Sequence, residues 1–443
     1  LTDAANAHAL ATDADLARHF AQLALDMRPD HPDAFTAMAV AEGVDHRHAE
    51  AKLWFEKAAK SAPDNANFRV NLGYSRTLEG DFAGAREDFD AALRIDPENV
   101  GALQNIVWIT KMSRGDPLIA RIRSLGSRCV EGSEDYIKLH YMLGKSLDDI
   151  SEYDDAFAAY RRANECQPCA YDFRMHNEFT RAVTEVWTRE RLDNLRPYGN
   201  KSLKPVFIVG MPRSGSTLLE EKLAADPRFA GLGELPDIIR MSGAIQRSHP
   251  REAPFPLWCK DAPAHAFGGL GDIYLQKYEA RHPDAERLIN KALLNFAYAG
   301  MIEAMFPNAL VIETRRNPID TCLSCYFKDL KAAHQYSVRL ETLGDFYRLY
   351  DGMMREWRTR LSNLVTVQYE EFITDVDASI DAIKAAARLD AAAAQKSEAG
   401  PRHVQTFSAW QVKQPVYTHA VARWRNYEKH IGPLVEALGD LAQ

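Results

Sequence analysis

The sequence predicts two folds in tandem: an all-α solenoid of paired helices, then an α/β domain whose parallel sheet carries an anion-binding loop. Three observations predict this. Pro29, Pro63 and Pro97 recur every 34 residues, the mark of a helical repeat. Lys204 to Gly210 is a short apolar run that leads into the turn Met211 to Thr217 and then a helix. Such a strand-turn-helix aims backbone N–H groups and a helix dipole at an anion. A second apolar strand, Ala309 to Thr314, runs into Arg315-Arg316, placing cations at the carboxyl end of a parallel strand, where ligands of such sheets bind.

A chain of 443 residues exceeds one ordinary core, and the change of texture places the domains at 1–185 and 186–443. With 46% hydrophobic and 26% charged residues the composition is that of a globular protein. The net charge of -8 is concentrated before residue 200, and an acidic front half argues against nucleic acid as its partner. No run approaches the ~20 apolar residues of a membrane span. Leu1 opens no recognisable signal peptide, and the chain begins without Met, so its start says nothing of the native N-terminus. Six cysteines in so long a chain make no disulfide framework. Cys166-x-x-Cys169 and Cys322-x-x-Cys325 have metal or redox spacing, but neither has a second ligand pair. They read as buried or incidental thiols in a reducing compartment, with no metal.

In the front half, the same small and aromatic positions precede each proline. Ala51, Phe55 and Ala58 precede Pro63; Ala85, Phe89 and Ala92 precede Pro97; Ala156, Tyr160 and Ala163 precede Pro168. Leu72-Gly73 and Leu143-Gly144 mark the first helix of two units. These positions resemble the tetratricopeptide repeat over roughly residues 10–170, with a degenerate stretch from Val100 to Gly132. The physics is plain: small residues let helix axes approach, the aromatic fills the gap, and Pro stops the second helix. Such a solenoid either presents a concave face to a protein or braces its neighbour.

In the back half, Gly210 and Gly215 have the separation of a nucleotide P-loop and Thr217 fits its last position, but Ser216 stands where Lys belongs. Without that Lys nothing reaches a γ-phosphate, so a kinase or ATPase loses its key charge. Arg213 instead offers a planar donor to a phosphate or sulfate oxygen. Pro-Arg-Ser-Gly-Ser-Thr here resembles the 5′-phosphosulfate loop of sulfotransferases that use PAPS (3′-phosphoadenosine-5′-phosphosulfate), and the order of later motifs is similar to the tyrosylprotein sulfotransferases. That resemblance implies a P-loop-like α/β sulfotransferase domain in which Arg213, Ser214, Gly215, Ser216 and Thr217 hold the 5′ side of the donor. Glu234, in Gly233-Glu234, follows Arg213 by 21 residues and takes the position of the family's general base. Lys291, in Asn290-Lys291 at the start of an expected apolar helix, takes that of the cation on the bridging oxygen, joined by Arg213. Arg316, with better register than Arg315, and Ser324 take the 3′-phosphate site. Tyr369, expected at the end of a strand Val365 to Glu371, lies near the nucleotide. Ser408 and Arg423 keep the relative spacing of the family's last nucleotide-binding segment, together with Gln411, Pro415 and Trp424, although Arg423 stands where those enzymes have Lys.

The resemblance thus implies PAPS as donor, PAP (3′-phosphoadenosine-5′-phosphate) as product and no metal. The acceptor stays open among a protein or peptide tyrosine brought in by the repeat domain, a saccharide and a lipid. The segment Arg240 to Gly271, with Phe255, Trp258 and Phe267, is expected to form part of the acceptor cleft or to pack. A repeat scaffold with an inactive nucleotide-binding domain is the reading from another class. Lacking the membrane anchor of the animal tyrosylprotein enzymes, the chain is expected to be cytoplasmic.

Overall fold

The computed structural model describes residues 1–10, 14–44, 47–248, 253–330, 332–389 and 421–442. The described residues divide into two compact units, Leu1–Gln167 and 168–389 with 421–442.

The first unit is helical throughout. Its helices are Thr2–Leu10, Ala14–Met27, Pro32–Val44, His48–Ser61, Ala66–Glu79, Phe82–Ile95, Val100–Ile109, Pro117–Arg128, Glu134–Asp149 and Tyr153–Glu165. Their ends follow from local chemistry. Asn65, Asp81, Asn99, Asp116 and Ser133 each accept a first-turn N–H as N-caps. Gly80, at φ 85°, closes Ala66–Glu79 in the left-handed region. The spacing of small and large residues sets the packing. A Cβ on Gly73 would lie 2.6 Å from Phe89 Cε1, and one on Gly144 2.7 Å from the Tyr160 ring. Both aromatics are buried between helices, with Ala85, Ala92, Ala156 and Ala163 at 0% exposure around them. The stretch from Val100 to Gly132, degenerate as sequence, still forms two helices: Val100–Ile109 buries Leu103 and Ile106 and packs on Phe82–Ile95 and Glu134–Asp149, while Pro117–Arg128 buries Ile122 and Leu125 and packs on Glu134–Asp149.

Helix Phe173–Val186, expected in the first domain, lies in the second unit. It packs along the long helix Leu340–Arg360, where Arg360 Nη1 donates to the Trp187 carbonyl at 3.1 Å.

The second unit is built on a parallel sheet of β1 (Pro205–Gly210), β2 (Phe229–Gly231), β3 (Arg287–Asn290), β4 (Leu310–Arg315) and β5 (Leu364–Gln368), in the order β2-β3-β1-β4-β5. Every residue of β1 is buried, the pattern of a central strand covered on both faces. Val206 and Ile208 pack with Leu219, Leu223, Ile289 and Ile312. On the other face Phe207 meets Tyr274 and Phe306. Glu313 interrupts β4 at 0% exposure, a position tolerated because Arg358, Tyr350 and Thr366 all donate to its carboxylate.

Two expected elements change. Asn290 ends β3 instead of starting a helix, and the helical stretch becomes a 3-10 turn, Leu293–Tyr298, followed by Ala299–Met305. β5 stops at Gln368, so Tyr369 opens the helical turn Tyr369–Phe372. β2 and β3, of 3 and 4 residues, are too short for a period of two to be read along the chain.

Candidate active site

The site residues gather at the carboxyl ends of β3, β1 and β4. After β1 the chain turns sharply through Arg213, at φ 69°, and Gly215, at φ 96°. Gly215 has no room for a side chain: a Cβ would lie 2.4 Å from Tyr369 Cδ2. The helix Ser216–Ala224 starts at once, so its N-terminal end lies at the turn. Ser214 is buried. It donates to the Met211 carbonyl at 2.7 Å and meets Thr314 Oγ1 at 2.7 Å, tying the turn to β4. Cys325 braces the turn from below, its thiol donating to the Pro212 carbonyl at 3.3 Å. Burial pushes that thiol up to about 12.

Arg213 reaches from the turn to the helix Pro318–Tyr326, where Nε donates to Ser324 Oγ at 3.1 Å. From the end of β4, Arg316 Nη1 donates to the Arg213 carbonyl at 3.3 Å. The Arg316 guanidinium also lies 5.1 Å from the centre of the Tyr369 ring. The doublet is thereby split: Arg316 joins the turn, while Arg315 pairs with Asp351 at 3.1 Å. Asp320, one helical turn after Arg316, accepts N–H groups from Ala422 and Trp424 at 2.8 and 2.9 Å. Burial raises its carboxyl above the usual range, against the pull of Arg316. These bonds bring Arg423, flanked by Ala422 and Trp424, to the same helix. Burial lowers the Arg423 guanidinium, with Tyr427 opposing. Ser408, Gln411 and Pro415 lie outside the described residues.

On the β3 side, Lys291 is 1% exposed and its Nζ lies 2.9 Å from Glu234 Oε1. Its backbone N–H donates to the Gly233 carbonyl at 2.8 Å. Asn290 holds the same turn, donating to the Leu235 carbonyl and to Tyr274 Oη and accepting from Ala292 N–H. The Asn-Lys pair thus divides its work: Asn290 fixes the turn that carries Glu234, and Lys291 supplies the charge. The Glu234 side chain is 56% exposed, open to an incoming group.

Two further residues went unremarked in the sequence. Glu220, in the loop helix, points its carboxylate at Gly233 N–H and Lys291. Burial raises its carboxyl, partly offset by the Lys291 ammonium and the Gly233 N–H. Position 220, four after Ser216 on the helix that follows the turn, was the available signal. Burial lowers the His334 imidazole, with the charge of Glu234 opposing, and His334 Nδ1 lies 2.8 Å from Tyr336 Oη.

Phe255, Trp258 and Phe267 do not line a cleft. They are buried and packed on one another and on Trp187 and Tyr298, because rings of this size gain most from burial against other rings. All six cysteines are free, with Cys259, Cys322 and Cys325 buried. Among the described residues no group of three or more His, Cys, Asp or Glu is placed to hold a metal, and no helix is long and apolar enough to cross a membrane.

Comparison with known proteins follows the same division. The model of the sulfotransferase family matches residues 205–393, and that of the tetratricopeptide repeat matches residues 66–99. An uncharacterised protein of Aquifex aeolicus (strain VF5) is 25% identical over 430 residues, 94% of this chain and 56% of its own length. The chain therefore spans about half of that relative. Among solved structures, the sulfotransferase domain of the Synechococcus PCC 7002 olefin synthase is 20% identical at a TM-score of 0.36, covering 51% of this chain and 89% of that one. A sulfotransferase of Mycobacterium tuberculosis H37Rv is 15% identical at 0.28, covering 74% and 99%. The chain thus carries a sulfotransferase-family domain behind a helical region that contains a tetratricopeptide repeat.

Proposed function

We propose that this chain transfers the sulfuryl group of PAPS to the hydroxyl of a protein or peptide tyrosine, the repeat domain recruiting the protein that carries it. The observation that carries the reading is the Lys291–Glu234 pair, 2.9 Å apart, set at the strand ends beside an anion-binding turn that lacks the P-loop lysine.

The donor brings an activated sulfuryl group on a 5′-phosphate and a 3′-phosphate that ATP lacks. The residues suit such a ligand. The backbone of 213–217 and the Arg213 guanidinium receive the 5′ side. Arg316 and Ser324 receive the 3′-phosphate, with Tyr369 beside Arg316 and with Arg423 and Ser408 completing the nucleotide site. Glu234 accepts the acceptor's proton as the new O–S bond forms, since a hydroxyl is a poor nucleophile until a carboxylate within reach takes that proton. Lys291 and Arg213 steady the electron pair left on the departing phosphate, charge that grows only in the transition state. The spacing of Glu234 from Arg213 supports tyrosine over saccharide or lipid.

Calorimetric titration with PAP beside ATP tests the donor. Micromolar PAP binding and weak ATP binding support it, and absence of PAP binding sinks it. Transfer from labelled PAPS to tyrosine peptides, against sugar and lipid acceptors, tests the acceptor.

A further inference from the structure

Glu220 has no part in the proposed transfer, yet it reaches Lys291 and the backbone of Gly233, the residue before Glu234. It lies in the helix that follows the anion-binding turn. Its Oε1 accepts Gly233 N–H at 3.1 Å, and Oε2 lies 3.8 Å from Lys291 Nζ. Its side chain is 15% exposed against 56% for Glu234. Lys291 therefore stands between two unlike carboxylates: one open to an acceptor, one held inside against the loop helix.

An ammonium this deeply buried needs an anion. At the moment of reaction Glu234 gives up its charge, and the departing phosphate draws Lys291 away from its inner position unless a second carboxylate holds it there. As the acceptor O–S bond forms and the S–O bond to the donor phosphate breaks, the acceptor proton passes to Glu234 and neutralises it. The electron pair of the broken bond stays on the phosphate, which is where the lysine charge is then required. Glu220 takes no proton from the acceptor in this step, and the Lys291 ammonium and Gly233 N–H oppose the burial that raises its carboxyl.

We infer that Glu220 is a positioning residue for sulfuryl transfer. It holds the Lys291 ammonium in place while Glu234 takes the proton, and it clamps the Gly233-Glu234 turn to the loop helix. This rests on the function proposed above, and it adds an inner carboxylate to the pair. Glu234, Gly233, Lys291 and, beyond Glu234, His334 are the groups this arrangement brings together.

The test compares wild type, Glu220→Gln, Lys291→Met and the double variant. Glutamine keeps an oxygen for Gly233 N–H and loses only the charge, so a purely structural Glu220 tolerates it. The expected result is a PAP Kd within about twofold of wild type, a kcat lowered roughly 10- to 100-fold, and a double variant no slower than Lys291→Met alone. A wild-type kcat in Glu220→Gln, or losses that multiply in the double variant, overturns the inference. Should wild type transfer nothing from PAPS, the functional reading falls by itself. Urea unfolding of the same four proteins then still reads the pairing: non-additive stabilities uphold Glu220 as the inner partner of Lys291, and additive ones overturn it.

Discussion

The Arg316 guanidinium donates to the carbonyl oxygen of Arg213 at 3.3 Å, locking the end of β4 to the glycine turn after β1. The neighbouring Arg315 makes no part of this lock and pairs with the buried carboxylate of Asp351. Two adjacent arginines thus hold different tasks, and their substitutions should separate. Arg316→Ala is expected to weaken PAP binding by about 2–3 kcal/mol, the scale of a lost charge-assisted contact. Arg315→Ala should leave affinity near wild type and cost about 1–2 kcal/mol of stability, since Arg355 still pairs with Asp351. Calorimetry with PAP and urea unfolding of both variants check the split. Equal loss of affinity in both would remove the 3′-phosphate assignment from Arg316.

Glu234→Gln keeps the size of the side chain and removes its basicity. The kcat of sulfuryl transfer should fall about 10²- to 10⁴-fold, as for loss of a general base, with PAP affinity retained. The readout is steady-state transfer beside PAP titration. An unimpaired variant would place the base elsewhere, with His334 next to be changed.

In the repeat unit, Gly73→Ala forces a methyl to within 2.6 Å of the Phe89 ring, which is itself fully buried. A loss of about 1–3 kcal/mol is expected from this overpacking. Gly43 offers the control, because a Cβ there meets nothing within 4 Å. Gly43→Ala should be neutral or stabilise the helix by up to about 1 kcal/mol. Urea unfolding of the two variants tests the difference. Equal effects would mean that helix propensity, not the close approach to Phe89, decides.

Asp226 carries a pH signature. The Arg228 guanidinium, with Lys384, holds its carboxyl at about 2 against an ordinary 3.8. A depressed carboxyl stabilises the fold above its unfolded value and loses that contribution as pH falls through the folded value. About 2 kcal/mol should therefore disappear between roughly pH 4 and pH 2. Asp226→Asn should flatten that part of the curve of stability against pH, and an unchanged slope in the variant would exclude Asp226 as its source.

Much of this protein was legible from one dimension because its signals are local. The 34-residue period, the apolar run into the glycine turn and the arginines after an apolar strand all lie within contiguous segments. Their chemistry depends on neighbours a few residues away: Gly215 must be glycine for its own turn, and Pro63 stops its own helix. What escaped was short or distant. β2 and β3 hold too few residues for a period to show, and Tyr369 leaves its strand for a helical turn only because β5 ends at Gln368. The aromatic segment around Trp258 had the composition of a cleft and became core, since only the fold brings Trp187 and Tyr298 against it. Glu220 was one of two adjacent acidic residues on its helix. Its meaning came from Lys291 and Gly233, which parallel strand pairing carries to its side from the far ends of β3 and the turn after β2. The sequence by itself determined the two fold types, the glycine turn after an apolar strand and the cations at a strand end, because each is a property of one segment. The tertiary structure decided which arginine joins the turn, which aromatics are buried and which carboxylates share the lysine, because those depend on side chains separated by 71 residues between Glu220 and Lys291 and brought within 4 Å only by the sheet.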